Sequence, residues 1–516
     1  MRAFDPFYDT LPSQNSAKKV FSAWQIGFII VIVIGYMIWF YWKGIYTLTS
    51  LLSFISLFTS IVYLYGILLV ILGIVSSKGR LSDTAKSTLS NNDDTGLPVY
   101  TILVPLYKEA VLFNQLVASL SALDYPYDKL DIIFLLEADD KETINAVKKQ
   151  PLPSCFRLLI IPAGYPKTKP RACNVGLLYA YGEYVVVYDA EDRPESDQLK
   201  KVLSIFRQKN NSVFCVQCRL NYYNARQNTL TRLFTLEYSF WFDLLLIGLN
   251  ILKAPIPLGG TSNHFQTEAL RRFGGWDAYN VTEDCDLGMR LAIAGYQTVV
   301  IDSTTWEEAN SQLQNWIRQR SRWVKGYLQT YLVHMRNPAR LLKRLGLKNF
   351  LSFQLVVGGA PLVLLCTPFI WIMTGIVYFR SITSTYDYFD VINTIPLILY
   401  VAAFLFFGVC GAIVRHNYDL LNYALLLPGY YALQSYAAWK GVYQLFTKPH
   451  YWEKTEHGLW QSLPIDVCIP ISGLYETKSH QHNVQPMGRT LRHFRAFSTL
   501  KQNPTPKQNP RPPTRH

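Results

Sequence analysis

Four long apolar runs decide most of what this 516-residue chain can become. Phe21–Trp42 and Tyr46–Val75 stand back to back near its start, and Leu351–Phe379 and Ile392–Val414 follow residue 350. About 20 apolar residues suffice for a helix to cross a hydrocarbon layer roughly 30 Å thick. Such runs have to be helices, because lipid offers no partners to an unpaired backbone. Trp39, Tyr41 and Trp42 close the first run with an interfacial aromatic cluster. Arg2, Lys18 and Lys19 precede the first pair, Lys78, Arg80 and Lys86 follow it, and only Lys43-Gly44 separates its members. Positive charge at both outer ends predicts a multi-pass protein of the cell membrane with residues 1–20 and the block after residue 76 in the cytoplasm.

Charge agrees with this placement. A net charge of +14 suits either nucleic acid or an anionic lipid surface. Here the basic residues flank apolar segments and fill the tail instead of forming one stripe with aromatics. Membrane lipids are therefore the expected partner, and nucleic acid is not. The first apolar run leads directly into the second, so no cleavable signal peptide is read. Leu420–Phe446 is also apolar but carries Gln434, Lys440 and Gln444. A further crossing there would carry outside a tail that holds seven Lys and Arg and no acid from Gly488 onward. An interfacial or re-entrant helix is expected instead, closing a membrane block over 349–447. Residues 476–516 have almost nothing to bury and are expected to be disordered.

Between the membrane blocks, after a polar linker, residues 98–348 alternate strand and helix patterns. Strands are predicted at Val99–Leu106, Leu130–Leu136, Arg157–Ile161 and Tyr184–Tyr188. Helices are predicted at Glu109–Leu123, Lys141–Lys149, Arg171–Ala180 and Asp197–Gln208. This alternation predicts an α/β domain with a largely parallel sheet. Neither G-x-G-x-x-G nor G-x-x-x-x-G-K-[ST] follows the first strand, so the common dinucleotide and P-loop signatures are missing. Cys215-Val-Gln-Cys218 is the one C-x-x-C among eight cysteines. Without a second pair or a histidine cluster it reads as packing, not as a zinc site.

Chemistry concentrates after Tyr184–Val187, a strand apolar enough to be buried on both faces. Asp189, Glu191 and Asp192 follow, and Arg193-Pro194 is expected to end the strand. Acids at the carboxyl end of a central strand lie where open α/β sheets bind ligands. Crowded carboxylates repel, and a hard divalent cation shared with substrate phosphates offsets them. Further on, Asn228–Leu249 reads as an apolar-faced helix and Pro257–Asn263 as a glycine-rich turn, with His264 a loop residue rather than a ligand. Thr282 caps a helix through Ala294, whose first-turn acids Glu283 and Asp284 also suit a helix N-terminus. Gln312–Thr330 reads as a basic, aromatic helix. Taken singly, each of these has an ordinary packing or capping explanation.

The series Val104-Pro-Leu-Tyr-Lys-Glu109, Leu136-Glu-Ala-Asp-Asp140, Lys169-Pro-Arg-Ala-Cys-Asn174, Asp189-Ala-Glu-Asp192, Thr282-Glu-Asp284 and Gln319-Arg-Ser-Arg-Trp323 resembles the membrane-embedded branch of glycosyltransferase family 2, which includes cellulose, hyaluronan, chitin and mannan synthases. The resemblance implies a glycosyltransferase-A type domain inserted between N- and C-terminal transmembrane helices. It implies inverting transfer from a nucleotide-diphospho-sugar, by family default a UDP-sugar, to a growing β-linked polysaccharide that crosses the membrane. A single transfer to a lipid or carrier acceptor is the alternative. By the same resemblance Glu109 and Asp139 contact the nucleoside, with Asp140 a second candidate, and Lys169 and Arg171 lie near the nucleotide. Asp189 and either Glu191 or Asp192 hold Mg²⁺ or Mn²⁺. Asp284 is the general base, beside Glu283, while Gln319, Arg322 and Trp323 hold the acceptor end and the diphosphate. Trp452-Glu-Lys-Thr-Glu-His-Gly458, with Trp452, Lys454, Thr455 and His457, reads either as a gating segment within 448–475 or as an aromatic anchor at the membrane edge.

Overall fold

A computed structural model describes residues 11–80, 96–208, 213–383 and 388–460. The expectations for the linker at 81–95 and the tail from 461 onward lie outside the described residues. Helices α1 (Ala23–Lys43) and α2 (Ile45–Arg80) form the N-terminal pair. The α/β domain follows, built in its first half from β1 (Tyr100–Leu106), α3 (Phe113–Ser121), β2 (Leu130–Glu137), α4 (Lys141–Lys148), β3 (Phe156–Ile161), α5 (Lys169–Tyr179), β4 (Tyr184–Val187), β5 (Arg193–Pro194) and α6 (Gln198–Gln208). Its second half comprises β6 (Val213–Tyr222), α7 (Thr229–Phe240), α8 (Leu246–Ile251), β7 (Asn263–Gln266), α9 (Thr267–Phe273), α10 (Glu283–Ile293), β8 (Gln297–Glu307) and α11 (Leu313–His334). Helices α12 (Pro338–Phe353), α13 (Gly359–Ile382), α14 (Tyr388–Val414) and α15 (Leu427–Thr447) complete the described chain.

Eight strands form one sheet in the order β3-β2-β1-β4-β7-β6-β8-β5. β3, β2, β1 and β4 are mutually parallel, as the alternation predicts. The sheet is largely parallel, as expected: beyond β4, β6 and β8 are parallel to each other and keep the direction of β4, and only β7 and β5 are reversed. β7 runs antiparallel to both β4 and β6, and β5 runs antiparallel to β8. The chain enters β7 from a glycine-rich turn, not from a crossover helix, and nothing then requires it to run parallel. Asn263–Gln266 is too short and polar to signal a strand. His264, expected in a loop, is therefore a fully buried strand residue whose Nδ1 lies 2.8 Å from the Tyr100 hydroxyl. Burial depresses its pKa to about 3. Arg193-Pro194 ends the β4 segment but pairs with β8 at the sheet edge, a position where a proline has no ladder bond to lose.

Alternating residues divide two cores. Ile102, Val104, Val186 and Tyr188 pack into one, under α3 and α6. Leu103, Val185 and Val187 pack into the other, which is continuous with Tyr63, Leu69 and Val70 of α2 and with Phe404 of α14. The sheet and the apolar helices therefore share one core. Among the described residues, Ala23–Lys43, Ser50–Ser76, Thr229–Ile251, Pro338–Ile382 and Thr394–Val414 are long and apolar enough to cross a membrane. Thr229–Ile251 is largely enclosed by protein and joins the sheet to the other helices.

Two glycines permit that junction. A Cβ on Gly248 would lie 2.2 Å from the Leu69 carbonyl oxygen, and one on Gly73 would lie 2.4 Å from that of Leu244. The backbones of α2 and the α7–α8 segment thus touch directly, a packing mode that small residues allow. Between α7 and α8 the chain widens into a π turn, Trp241–Leu245. Asp243 in this turn receives both Nε (2.7 Å) and Nη2 (2.8 Å) of Arg415 from the end of α14. That bidentate pair fixes the register between helix block and sheet.

Candidate active site

The carboxyl ends of β4 and β8, the N-terminus of α10 and one face of α11 meet at one place. A cavity of about 340 Å³ is lined there by Lys169, Asp189, Glu191, Glu283, Asp284, Glu307, Gln319, Arg322 and Trp323. It continues past Tyr238 and Gln434 to Val62, Tyr63, Gly66 and Leu69 of α2 and to Phe404 and Phe407 of α14. Residues as distant in sequence as Asp189 and Trp323 become wall neighbours because strand ends and helix starts converge at one sheet edge.

The acidic turn after β4 divides its labour. Asp192 is folded back into the loop, accepting the Asp189 N–H at 2.8 Å and a bond from the Thr261 hydroxyl. Asp189 and Glu191 face the cavity. Lys169, at the start of α5, reaches Asp189 at 2.5 Å and donates to the Gly260 carbonyl at 2.7 Å. Burial lowers the pKa of Lys169, but Asp189 and Glu283 outweigh it, so the ammonium is held charged. Glu191 contacts Nδ1 of His457 at 3.0 Å. Burial, reinforced by Asp189 and Glu109, raises the Glu191 pKa well above the usual carboxylate range.

Glu283 and Asp284 occupy the first turn of α10. Burial pushes Glu283 up to about 8 and Asp284 up to about 6, with Asp284 adding to the effect on Glu283. Asp284 Oδ1 accepts the Cys285 N–H at 2.7 Å, and a Cβ on Gly260 would sit 3.5 Å from its Oδ2. The glycine-rich turn therefore runs directly against this carboxylate. The expected cap does not form. Thr282 makes no side-chain cap bond, because its hydroxyl and methyl pack where a Cβ on Gly326 would be, 2.4 to 2.5 Å away. On α11 the i, i+3, i+4 spacing puts Gln319, Arg322 and Trp323 on the cavity face. Burial lowers the Arg322 pKa against the pull of Glu283, Asp189 and Asp284.

Four of the residues expected at the nucleotide stand outside the cavity wall, as do Asp192, Lys454 and Thr455. Asp139 lies at the exposed end of β2, paired with Lys167 at 2.6 Å, while Lys167 Nζ rests 3.8 Å from the Tyr107 ring. β2 is two strands from β4, about 10 Å at the usual strand spacing. Glu109 is engaged by Lys454 at 2.7 Å. Asp140 caps α4 through the Thr143 N–H at 3.2 Å and also accepts the Lys108 N–H. Arg171 is fully buried, with Nη1 3.4 Å from Glu137 and Nη2 on the Pro162 carbonyl. Asp140 and Arg171 are therefore engaged by the loops beside the cavity.

From the segment Tyr451 to Trp460, Trp452 and His457 reach the cavity wall. Trp452 lies under Arg322, whose guanidinium is 4.5 Å from the ring. Glu453 accepts from Lys440 and Gln444, both at 2.8 Å. Thr455 is buried. Asn315 brackets Glu456, donating to its carbonyl at 2.7 Å and accepting its N–H at 2.9 Å. Glu308 accepts the N–H groups of Gly458 and Trp460. Glu307 and Glu308 escape sequence reading because β8 does: Gln297–Glu307 has mixed polarity, and two adjacent acids carry no signature alone.

A metal fits part of this donor set. Among the described residues no group of three His, Cys, Asp or Glu side chains surrounds a single point. Two carboxylates, Asp189 and Glu191, face the cavity, and burial together with the Asp189 charge raises the Glu191 pKa. Such a pair suits a hard divalent ion whose other ligands are phosphate and water.

Fold and site together define an α/β transferase-type domain built onto apolar helices, its acidic cleft open at the strand ends. Residues 184–410 match the family described as Glycosyl transferase family group 2. Relatives include a probable glycosyltransferase, YdaM, of Bacillus subtilis strain 168, 28% identical over 236 residues (45% of this chain, 55% of that protein). Another is a probable glucomannan 4-beta-mannosyltransferase 3 of Arabidopsis thaliana, 25% identical over 252 residues (46% and 45%). The chain thus spans about half the length of these relatives. Among solved structures, the mannosyltransferase PcManGT from Pyrobaculum calidifontis, in complex with GDP-Man and Mn²⁺, is similar at a TM-score of 0.40 and 18% identity, covering 71% of this chain and 99% of that one. TarS residues 1–349 of S. aureus with UDP follows at 0.33 and 13%, covering 64% and 91%.

Proposed function

We propose that this protein is an inverting membrane glycosyltransferase that moves a sugar from a nucleotide diphosphate to an acceptor hydroxyl seated on Trp323. The observation that carries the reading is the single cavity that joins Asp189, Glu191 and Asp284 to Trp323 and continues between α2 and α14. The reaction forms a bond from the acceptor oxygen to the anomeric carbon and breaks the bond from that carbon to the diphosphate. Asp284 takes the acceptor proton as the nucleophile attacks, an effect worth about 10²–10⁴ in rate. One displacement needs one base, so no nucleophilic carboxylate is required. Asp189 and Glu191 would hold Mg²⁺ or Mn²⁺, which when bound neutralises charge on the diphosphate. Arg322 and Lys169 supply further positive charge where the leaving group develops its own. Glu109 and Asp139 lie at neighbouring strand ends, on the side open to the nucleoside. Lys454 and His457, which meet Glu109 and Glu191 in this state, belong to a segment that yields to the donor and closes over it.

The catalytic domain faces the cytoplasm, a reading supported by the basic residues on both flanks of the first helix pair. The acceptor is a growing β-linked polysaccharide whose older units occupy the part of the cavity between the helices. The aliphatic character of Val62, Leu69 and Val363 in that part favours a lipid-linked acceptor as the second reading. Incubating detergent-solubilised protein with labelled UDP-hexoses and a mannose nucleotide, with and without Mg²⁺ and Mn²⁺, tests both. The mannose donor is included because a plant relative is named a mannosyltransferase. A product of many sugars supports the polymer, one organic-soluble sugar adduct supports the lipid, and no transfer from any donor rejects the enzyme.

A further inference from the structure

Beside Trp323, at the cavity wall, lies a buried ionic cluster that the proposed reaction does not use. Glu237 of α7 receives Nη1 of Arg320 at 2.8 Å on one oxygen and Nη2 on the other. The Tyr430 hydroxyl (2.7 Å) and the Gln434 amide (3.2 Å), both from α15, donate to the same carboxylate. The Arg320 guanidinium lies 4.7 Å from the Trp323 ring, 4.3 Å from Phe234 and 5.5 Å from Trp316. A buried pair of this kind is not held for stability alone, since apolar residues of equal volume often serve as well. What it offers is orientation: a planar fork fixed on a carboxylate and laid against an indole.

We infer that Glu237 and Arg320 are positioning residues that set the angle of the Trp323 ring and tie it to α15, so that the acceptor is presented to Asp284 in one pose. The inference rests on the reading of Trp323 as the acceptor platform. Glu237 and Arg320 also line the cavity, but with four donors already on its two oxygens Glu237 acts on Trp323 through Arg320. The cluster joins three elements that the chain supplies separately: α7, which leads into the turn and helix that meet α2 through glycine contacts, α11, which carries the acceptor residues, and α15 from the C-terminal helix block. A shift in that block is thereby transmitted to the platform beside the base.

The test uses full-length protein in detergent with the donor that the wild type accepts. In Glu237→Gln and Arg320→Lys, transfer to acceptor should fall by up to about 100-fold, the loss expected of sub-ångström to ångström misplacement. The loss should appear in kcat, while nucleoside diphosphate binding is retained. Hydrolysis of the donor to free sugar should rise relative to transfer, a ratio that general destabilisation does not move. Tyr430→Phe and Gln434→Leu each remove one bond to Glu237 and should move the ratio the same way by less. They stand in if the stronger variants do not fold. Glu268→Gln, at an exposed pair with Arg272, is the control with unchanged kinetics. An unaltered ratio across all folded variants, or loss of nucleotide binding in step with transfer, overturns the inference while leaving the transferase intact. A wild type inactive on every donor overturns both.

Discussion

Replacing Asp284 by asparagine tests the proton step directly. The substitution keeps the shape of a side chain whose Oδ1 accepts the Cys285 N–H at 2.7 Å and whose Oδ2 lies beside Gly260. It removes only the ability to take a proton. Loss of a positioned base is worth about 10²–10⁴ in rate, or ~3–5 kcal/mol of barrier. The structure adds a pH signature. Burial sets the Asp284 carboxyl at about 6, and a base works ionised, so kcat/KM of the wild type should fall tenfold per unit below about pH 6. The amide of the variant does not titrate there, and its residual rate should lose that limb. Asp189, Lys169 and Arg322 remain, so a nucleoside diphosphate should bind Asp284→Asn as it binds the wild type. Radiolabelled turnover across pH 5–8 with calorimetric titration of the diphosphate measures both. Wild-type turnover in the variant, or an acid limb that survives it, would refute Asp284 as the base.

Other outcomes follow from neighbouring geometry. Asp189→Asn should abolish turnover and weaken diphosphate binding in the presence of Mg²⁺ or Mn²⁺, and chelation should reproduce this in the wild type; metal-independent activity would remove the cation from the site. The native Glu283 pKa, about 8, exceeds the roughly 4.3 of an unfolded chain, so the native state binds the extra proton and stability drops as pH rises between those values. In metal-free protein, Glu283→Gln should therefore melt increasingly above the wild type from pH 5 to pH 8, and a constant difference would contradict this. Gly248→Ala places a methyl 2.2 Å from the Leu69 carbonyl and should lower the melting temperature in detergent more than Gly375→Ala, where a Cβ meets nothing within 4 Å. Asp140→Ala should cost about 1 kcal/mol as a lost helix cap, visible as a lower melting temperature.

Some of this protein is written in local order. Apolar runs of about 20 residues, and the period-2 and period-3.6 patterns of residues 98–208, report their own surroundings, so helix blocks and the parallel half of the sheet are legible without coordinates. The acids after Tyr188, the Thr282–Asp284 triplet and the Gln319–Trp323 segment are visible too, but each has an ordinary explanation alone and takes a role only through the resemblance carried by the whole series. Contacts between distant segments are not local, and only the tertiary structure decides them. Asp192 and Glu191 look interchangeable in sequence, yet one folds onto Thr261 and the other faces the cavity. Nothing local in the sequence names the partners of Asp140 and Arg171, which are Lys108, Thr143 and Glu137. β7 and β8 lack a pattern because their burial comes from neighbours on both sides and not from their own alternation. Glu237 is one acid in an apolar helix until Arg320, 83 residues later, stacks between it and Trp323. Chain order specifies what each segment prefers, and packing specifies which side chains are left with a free face.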